Sequence, residues 1–398
     1  MQPFEGVDVL DFTHVVAGPL STQLLAVLGG NVVKVEPPDG DPMREIERGA
    51  PFSCFNMGGK QSLSIDLKTD EGIEIATELA NTADVIVESF RPGVMERFGL
   101  DYETVSAENP TVVYCSLSGY GPEGPYSGRP AFDSITQAMS GLMSVVGYPD
   151  RDPVRIPPPL IDHGTGANMA FLIASALLNR ERTGDGEHID IALFDVAVQW
   201  AGYMFSQYTD TGELPDRTGS GSPGIAPSNL FHAEENEPFY MTVPHDGIFR
   251  RLCAAIDRED LLDDDRFRTA ERRVEHRESL KSELDAVFGA YDRETLIERL
   301  TDHGVPAGPQ YTLRELLDDP QVDRRGSIET TENLASGNEI AIPRPPVRTA
   351  QGAPEIGDRP PKLGEQSRDV LLEEGYSPER IDELLNEGVI YEPDSAEE

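Results

Sequence analysis

Residues 7–36, VDVLDFTHVVAGPLSTQLLAVLGGNVVKVE, decide the fold of this chain. A short apolar run at 7–12 is typical of a buried strand, and a second such run follows at 31–36. The residues between them, 19–28, have the length and apolar content of a helix, which a pair of glycines ends. A strand, a helix and a second strand in this order predict a βαβ unit with parallel strands.

The same alternation continues outward from this segment to about residue 120. Further strands are predicted at 62–66, 84–89 and 112–117, with an amphipathic helix at 69–83. Repeated strand–helix–strand order predicts an α/β fold in which a parallel sheet carries helices on both faces.

The second half of the chain is less regular. We predict a strand at 188–194, a helix at 196–208, mostly helical and charged structure at 248–317, and a last helix at 365–386 before an acidic, frayed tail. A proline-rich stretch at 343–361 is expected to lack regular structure.

Asp162 lies in the run PPPLIDHGTG at residues 157–166, directly before an apolar stretch of helical length at 167–178. A carboxylate at this place meets unpaired N–H groups and the positive end of the helix dipole. Asp is also a favoured N-cap residue, so this segment alone leaves two interpretations open, a helix cap and a catalytic carboxylate.

The charge of the chain is strongly negative. Its 398 residues include 72 Asp and Glu against 33 Lys and Arg, a formal net charge of −39 spread along the whole sequence. Such a chain repels phosphate backbones and anionic membranes, which argues against nucleic acid as a partner. Acidic residues combined with normal apolar periodicity indicate a protein adapted to high salt, where screening removes self-repulsion.

Several function classes are disfavoured by what the sequence lacks. Three scattered cysteines make no metal-binding or disulfide spacing and suit a reducing compartment, and no apolar run has the length of a membrane span, so we expect a cytoplasmic protein. The histidines form no H-x-x-x-H or HExxH motif, which makes a metal site improbable. A GxSxG elbow, a GxGxxG fingerprint and a P-loop lysine motif are all missing.

A glycine- and serine-rich segment at 217–224 admits two interpretations. It is either a linker between domains or a lid whose backbone N–H groups, such as those of Gly219 and Gly221, stabilise an oxyanion.

Taken together, these segments resemble the class III CoA-transferases, the CaiB/BaiF family that includes formyl-CoA transferase. The order and spacing of the matching segments make the resemblance specific over nearly the whole chain. These segments are residues 6–19, 33–36, 40–41, 87–93, 97–100, 118–121, 137–141, 182–186, 265–269, 304–309 and 363–365.

The resemblance implies a doubly wound, Rossmann-like large domain formed by both chain ends, a smaller, mainly helical α/β domain, and an interlocked homodimer. The corresponding domain bounds are 1–208 for the first part of the large domain, 209–237 for a linker with the glycine loop, 238–325 for the small domain, 326–362 for a return linker and 363–398 for the part that completes the large domain.

The resemblance also makes Asp162 the nucleophile. In the implied reaction the carboxylate attacks an acyl-CoA thioester to give a mixed anhydride, and CoA thiolate then forms an aspartyl-CoA thioester. CoA thioesters are thus substrates, and no permanently bound cofactor is implied. By position, the CoA contacts are Val15, Ala17, Ile65, Ser89, Phe90 and Arg97.

Two departures from the family bear on the substrate. Formyl-CoA transferase has Gln in place of Val16, and a run of glycines in place of Gly219-Ser220-Gly221, so oxalate and formyl-CoA are disfavoured. The alternative we hypothesise is succinyl-CoA as donor and a small dicarboxylate of the mesaconate or citramalate type as acceptor. His14, Arg44 and Arg217 are candidates to pair with the distal carboxylate, and the sequence does not choose among them.

Two rival functions stay open at this point. An α-methylacyl-CoA racemase shares the fold, but racemases carry a His base where this chain has Phe132, although His14 or His163 could take its place. A non-catalytic CoA-binding protein is the other rival, and loss of turnover with retained CoA binding in Asp162→Ala would separate it from a transferase.

Overall fold

The computed structural model describes residues 2–350 and 352–393. The predicted acidic tail falls on residues 394–398 and lies outside the described residues. The strands are β1 (Asp8–Phe12), β2 (Asn31–Glu36), β3 (Gln61–Ile65), β4 (Val85–Glu88), β5 (Val113–Ser118), β6 (Glu187–Ala192), β7 (Ser228–His232), β8 (Pro238–Thr242), β9 (Ala307–Pro309), β10 (Ile328–Glu332), β11 (Glu339–Pro343) and β12 (Ile390–Tyr391).

The α-helices are α1 (Ala17–Val27), α2 (Ala50–Phe55), α3 (Asp70–Thr82), α4 (Val94–Phe98), α5 (Tyr102–Glu108), α6 (Asp133–Met139), α7 (Leu160–Thr183), α8 (Leu193–Ala201), α9 (Met204–Thr211), α10 (Asp246–Ala255), α11 (Ala270–Glu275), α12 (Arg277–Phe288), α13 (Arg293–Asp302), α14 (Leu313–Leu317), α15 (Pro320–Arg325), α16 (Ser367–Glu373) and α17 (Pro378–Glu387). Short 3-10 helices lie at Pro42–Arg44, Ile46–Gly49, Leu142–Val145, Glu234–Asn236 and Glu259–Leu262.

A seven-stranded sheet, in the order β12-β3-β2-β1-β4-β5-β6, is the centre of the first compact unit among the described residues. All neighbours pair in parallel except β12, which runs antiparallel to β3. This confirms the predicted α/β fold with a large parallel sheet. The strand order reverses between β1 and β4, which is where doubly wound sheets open a ligand crevice at their carboxyl ends.

Both faces of the sheet are covered because side chains alternate along each strand. Leu10 of β1 packs into a core that includes Ile75 of α3 and Leu371 of α16. Asp11, the next residue, points to the opposite face and accepts a hydrogen bond from Thr22 of α1. The βαβ unit predicted at the start of the chain is therefore present, and strand β1 contacts helices on both faces of the sheet.

The chain divides into two compact units. The first contains the residues up to Ser140, Ile156–Trp200 and the residues from Gln321 onward, and the second contains Gly141–Arg155 and Ala201–Pro320. The second unit is built on the antiparallel sheet β7-β8-β9, and its core includes Phe231, Phe239 and Phe288.

These bounds differ from the predicted domains in several places, including residues 201–208, which lie in the second unit, and 321–325, which lie in the first. Residues 209–237 belong to the second unit and are not a separate linker, and 141–155 join that unit although they were assigned to the large domain. Arg217 explains the association, since its guanidinium donates to the carbonyl groups of Ser144, Tyr148, Pro149 and Arg151. No sequence pattern encodes such a contact between distant segments.

Two predicted helices are interrupted. The helix predicted at 196–208 is two helices, because Gly202 has φ of 56°, which a right-handed helix cannot contain. The helix predicted at 365–386 is also split, at Gly375 with φ of 91°, and α17 restarts with Pro378 in its first turn. The return linker predicted at 326–362 contains the antiparallel pair β10-β11.

Within the described residues, no helix combines the length and the apolar character that crossing a membrane requires.

Candidate active site

The crevice at the reversal of strand order is formed by two short segments. The β1–α1 turn, residues 13–16, follows β1, and Ser89 with Phe90 follows β4. Because β1 and β4 are parallel neighbours, these segments meet at one edge of the sheet.

The β1–α1 turn contains a residue with a strained backbone and contacts a buried ion pair. Val15 has φ of 73°, a left-handed conformation that is costly for a β-branched residue. Lys34, fully buried, donates from Nζ to the carbonyl oxygen of Thr13 at 2.6 Å and pairs with Asp41 Oδ2 at 3.0 Å. Asp41 Oδ1 lies 3.5 Å from the backbone N of Val15. The buried Lys34–Asp41 pair thus contacts the backbone of the turn at both Thr13 and Val15.

His14 is hydrogen-bonded to Ser89 in the segment that follows β4. The backbone N–H of His14 donates to Ser89 Oγ at 3.2 Å, and Ser89 Oγ lies 3.2 Å from His14 Nδ1. The His14 ring also packs at a tilt on Phe90, with ring centroids 5.7 Å apart. Burial lowers the pKa of His14, Lys34 adds to this effect, and Asp41 and Asp11 oppose it.

Asp162 lies in the first turn of α7 and is not the helix cap. The helix begins at Leu160 with Pro159 as its N-cap residue, three residues earlier than a cap at Asp162 would give, and the capping interpretation of Asp162 is therefore wrong. The structure gives its carboxylate no hydrogen-bond partner among residues 2–350 and 352–393. The side chain is half-buried and faces a cavity.

Asp133, which the sequence analysis missed, takes over the capping role. Its Oδ2 accepts the N–H groups of Ile161 at 2.7 Å and Asp162 at 3.4 Å, and its Oδ1 accepts from Gln137 Nε2 at 2.6 Å. Burial, and after it the negative charge of Asp133, raises the pKa of Asp162 to about 7. Desolvation thus outweighs the stabilisation that the positive end of the helix dipole gives to an ionised carboxylate at this place. The sequence signal that could have identified Asp133 is an acidic residue at the start of a helix in the segment FDSIT, residues 132–136.

Close packing of α7 on α1 positions the carboxylate relative to the crevice. A Cβ added to Gly166 would lie 2.6 Å from the carbonyl oxygen of Ala17, and one added to Gly164 would lie 2.2 Å from the Trp200 ring. Glycine at both places lets helix α7 approach its neighbours more closely than any other residue would allow.

A cavity of about 230 Å³ opens at this place. Eight of the residues singled out in the sequence line it: His14, Val15, Val16, Ala17, Ser89, Phe90, Phe132 and Asp162. Arg91 and Arg129, which the sequence analysis did not select, also line it, and neither forms an ion pair within the described part of the chain. The Arg129 guanidinium also stacks on the Tyr126 ring, 4.1 Å from its centroid, and two cationic side chains at one cavity suit an anionic ligand.

The other residues selected from the sequence lie away from the cavity lining. The Ile65 side chain is 1% exposed within the core of the first unit. Arg97 is exposed on α4 and donates to the carbonyl oxygen of Gly93 at 3.2 Å. Their contacts with CoA stay predictions.

Gly219 and Gly221 belong to the second unit, and their N–H groups are already used. The N–H of Gly219 donates to Gly147 O and that of Gly221 to Thr218 O, each at 2.9 Å. In this conformation neither is a free oxyanion donor. The sequence could not show this, because both acceptors depend on how the loop folds.

The structure also distinguishes among the residues considered as partners of the distal carboxylate, which are His14, Arg44 and Arg217. It does the same for His14 and His163, which were considered as the base of a racemase. Arg44 is bidentate to Glu36 at 2.7 and 2.6 Å, and Arg217 is saturated by the carbonyl groups described above. His163 Nδ1 contacts Pro159 O at 2.8 Å. Of these four residues only His14 lines the cavity.

A doubly wound α/β unit with a half-buried carboxylate and two arginines at its switch-point cavity is typical of a site for an anionic small-molecule ligand. The chain belongs to CoA-transferase family III, also called the CaiB/BaiF family, whose model matches residues 4–367. This confirms the family resemblance and the enzyme class.

Several known proteins are similar to this chain. An acetyl-CoA:oxalate CoA-transferase of Acetobacter aceti is 36% identical over 95% of this chain and 97% of its own length. A succinyl-CoA:mesaconate CoA-transferase of Haloarcula hispanica is also 36% identical, over 94% of this chain and 97% of its own. The crystal structure of a CaiB/BaiF family protein from Brucella suis has a TM-score of 0.83 and 35% identity, covering 94% of this chain and 99% of that one.

Proposed function

We propose that this enzyme transfers CoA from succinyl-CoA to a small dicarboxylic acid of the mesaconate type, with Asp162 as the nucleophile. The observation that carries the proposal is a carboxylate without a hydrogen-bond partner among the described residues, facing the cavity between the β1 and β4 segments. A carboxylate with a raised pKa is more nucleophilic than an ordinary one. Because the pKa of Asp162 is raised only to about 7, a large fraction of the carboxyl is still ionised at neutral pH.

The reaction proceeds by covalent catalysis. A carboxylate oxygen of Asp162 attacks the thioester carbonyl carbon, the C–S bond breaks, and the products are an aspartyl mixed anhydride and CoA thiolate. The thiolate attacks the aspartyl carbonyl carbon of the anhydride, which releases succinate and leaves an aspartyl-CoA thioester. The acceptor acid then repeats both steps in reverse order and leaves as its CoA thioester. Each intermediate is an activated acyl group, so the free energy of the thioester is conserved.

The two unpaired arginines support an anionic acceptor. Arg91 and Arg129 line the cavity, whereas Val16 and Phe132 give it apolar walls. CoA phosphates and a distal carboxylate both need cations, and an apolar wall suits the carbon chain of the acid. The Haloarcula relative named for succinyl-CoA and mesaconate supports this pair. The Acetobacter relative named for acetyl-CoA and oxalate, which has the same identity to this chain, makes oxalate the competitor to test, although Val16 disfavours it.

We also propose the interlocked homodimer and the cytoplasmic location implied above. Phe171 and Leu178 of α7 are 68% and 54% exposed, which supports a partner on this helix. The free thiols of Cys54, Cys115 and Cys253 support a reducing compartment. Light scattering after size exclusion should give twice the mass of the 43.6 kDa chain.

Trapping the acyl-enzyme tests the nucleophile. After incubation with succinyl-CoA, hydroxylamine should convert Asp162 to a hydroxamate that peptide mass spectrometry locates. Asp162→Asn should give no adduct and no turnover while still binding CoA, and Asp195→Asn, another substitution of Asp on a helix, serves as the matched control. No adduct in the wild type, with exchange of the α-proton in deuterium oxide instead, would replace the transferase by a racemase.

A coupled assay identifies the acceptor. With succinyl-CoA as donor, mesaconate, citramalate, glutarate and oxalate should be compared at equal concentration. We expect the branched or unsaturated C4–C5 dicarboxylates to react fastest. In Arg129→Gln the KM for these acids should rise at least about tenfold, since a charge-assisted contact is lost. Preference for oxalate would contradict the proposed substrate and leave the proposed nucleophile intact.

A further inference from the structure

His14 stands out among the cavity residues because the sequence analysis assigned it no definite role. It follows β1 directly, its ring is half-buried, and it lines the same cavity as Asp162. Its Nδ1 faces Ser89, and the structure gives its Nε2 no hydrogen-bond partner in the described part of the chain. The second ring nitrogen is therefore available to a ligand in the cavity.

The contacts of Ser89 determine which ring nitrogen carries the proton. The Ser89 hydroxyl accepts the backbone N–H of His14, and its own proton then has one acceptor within reach, His14 Nδ1 at 3.2 Å. If Nδ1 carried the proton instead, the hydroxyl would accept twice from one residue and its proton would have no partner among residues 2–350 and 352–393. A half-buried hydroxyl proton without a protein acceptor is less favourable than one that donates to a ring nitrogen. The favoured tautomer has Nδ1 as acceptor and the proton on Nε2.

The surroundings favour the neutral form of the His14 ring. Burial lowers the pKa of His14 and Lys34 adds to this effect, while Asp41 and Asp11 act in the opposite direction. Both carboxylates are engaged by buried lysines, Asp41 by Lys34 and Asp11 by Lys60, which limits their attraction for a proton on His14. These effects favour a neutral His14 that donates a hydrogen bond over a cation that pairs with a distal carboxylate. This also removes it as a general base, because its basic nitrogen faces Ser89.

We propose that His14 is a catalytic residue whose Nε2–H donates a hydrogen bond to the acyl oxygen during CoA transfer, and that Ser89 is the positioning residue that sets its tautomer. The inference rests on the proposed function of Asp162. When the Asp162 oxygen bonds to the thioester carbon, the C=O π electrons move to the carbonyl oxygen, which becomes an oxyanion. Nε2–H stabilises this charge without transferring its proton, and collapse of the intermediate restores C=O and expels CoA thiolate. In this conformation the N–H groups of Gly219 and Gly221 already donate to backbone carbonyl groups, so these two residues do not stabilise the oxyanion.

Three substitutions of His14 separate this role from the alternatives. Gln can place an amide N–H near the position of Nε2 and stays neutral, Asn reaches only the position of Nδ1, and Ala removes both. We expect kcat to fall about 100-fold to 1000-fold in His14→Ala and His14→Asn, and less than about 10-fold in His14→Gln, with KM for succinyl-CoA changed little. His303→Gln is the matched control, since His303 is exposed and its Nδ1 contacts Arg299 O.

The role of Ser89 has its own readout. In Ser89→Ala the Nδ1 atom loses its donor, and ¹⁵N spectra of the histidine rings should show His14 changing from the Nε2–H tautomer to a mixture. The His14 signal is assigned by its loss in His14→Gln. We expect kcat to fall about 10-fold in Ser89→Ala. A rise in KM for succinyl-CoA at constant kcat would instead make Ser89 only a CoA contact and overturn its positioning role.

The outcomes that overturn the proposal are distinct from a failure of the proposed function. Full activity in His14→Ala, or a Gln variant as impaired as the Ala variant while circular dichroism and CoA binding match the wild type, would contradict the donor role. A ¹⁵N spectrum showing Nδ1–H or a charged ring at neutral pH would contradict the tautomer. Absence of the acyl adduct on Asp162 in wild-type enzyme would instead refute the proposed function, whatever His14 does.

Discussion

Replacing Asp133 with Asn removes a negative charge from beside the nucleophile and should shift the pH dependence of turnover toward acid. The Asp133 carboxylate accepts the N–H groups of Ile161 and Asp162, so it lies against the first turn of α7. Its charge opposes ionisation of Asp162, and only the ionised form of Asp162 attacks a thioester. Asn keeps an oxygen that can accept from Ile161 while it loses the charge.

The magnitude follows from the pKa of Asp162, which burial and Asp133 raise from 3.8 to about 7. This rise corresponds to about 4 kcal/mol of preference for the protonated carboxyl. Burial is the larger cause, so Asp133 accounts for less than half of it, and we expect its removal to lower the apparent pKa by about 1. At pH 6 the ionised fraction would rise from about one tenth to about one half, a gain of about fivefold, whereas at pH 8.5 it would not change.

The assay is kcat/KM for succinyl-CoA between pH 5.5 and 8.5 at constant salt, because this parameter reports ionisation of the free enzyme. The wild type should show an acid limb near pH 7, and Asp133→Asn one near pH 6. Values are normalised to the plateau of each variant, since loss of a good acceptor for Gln137 lowers activity at every pH. Asp263→Asn, which removes the same charge from an exposed site, should leave the limb in place.

An acid limb that stays near pH 7 in Asp133→Asn, with folding and CoA binding intact, would refute the electrostatic argument. Asp133 would then act only by holding the start of α7. A limb near pH 4 in the wild type would show that burial does not raise the pKa of Asp162 at all.

Three further predictions follow from the site and the charge. Asp162→Asn should stabilise the fold, because the folded state disfavours the ionised carboxyl. The gain in free energy of unfolding should grow as pH rises from 5 to 8 and reach about 2 kcal/mol after allowance for partial exposure. Calorimetry measures this gain, and no difference at pH 8 would contradict the prediction. Gly166→Ala should lower the free energy of unfolding by about 2 kcal/mol and abolish most activity, since the clash with the Ala17 carbonyl outweighs the roughly 1 kcal/mol of better helix propensity; urea unfolding checks this, and a more stable variant would refute it. Transfer from about 2 M to about 0.1 M salt should lower Tm and activity, because screening of a net charge of −39 weakens, and unchanged activity in dilute buffer would show that the acidic surface needs no salt.

Local patterns in the sequence predicted much of the fold. The five strands of the first 120 residues and the helices α1 and α3 were expected within a few residues of their bounds, because alternation and helical periodicity depend on neighbouring side chains only. The short helices α2, α4 and α5 were not predicted. The interrupted helices at Gly202 and Gly375 were missed, since a glycine can lie inside a helix at a modest cost or end it, and only its backbone conformation distinguishes the two.

Asp162 as the candidate nucleophile, the family, and the acidic surface were all determined by the sequence itself, because residue type, order and spacing are enough to identify them. Only the tertiary structure decided that Asp133 caps α7 and repels Asp162, that Ser89 holds His14, and that Ile65 and Arg97 lie away from the cavity. Ionisation, tautomer and access are properties of a surrounding shell, and residues far apart in the chain, such as His14 and Ser89 at a separation of 75, form that shell only when the sheet brings β1 and β4 together.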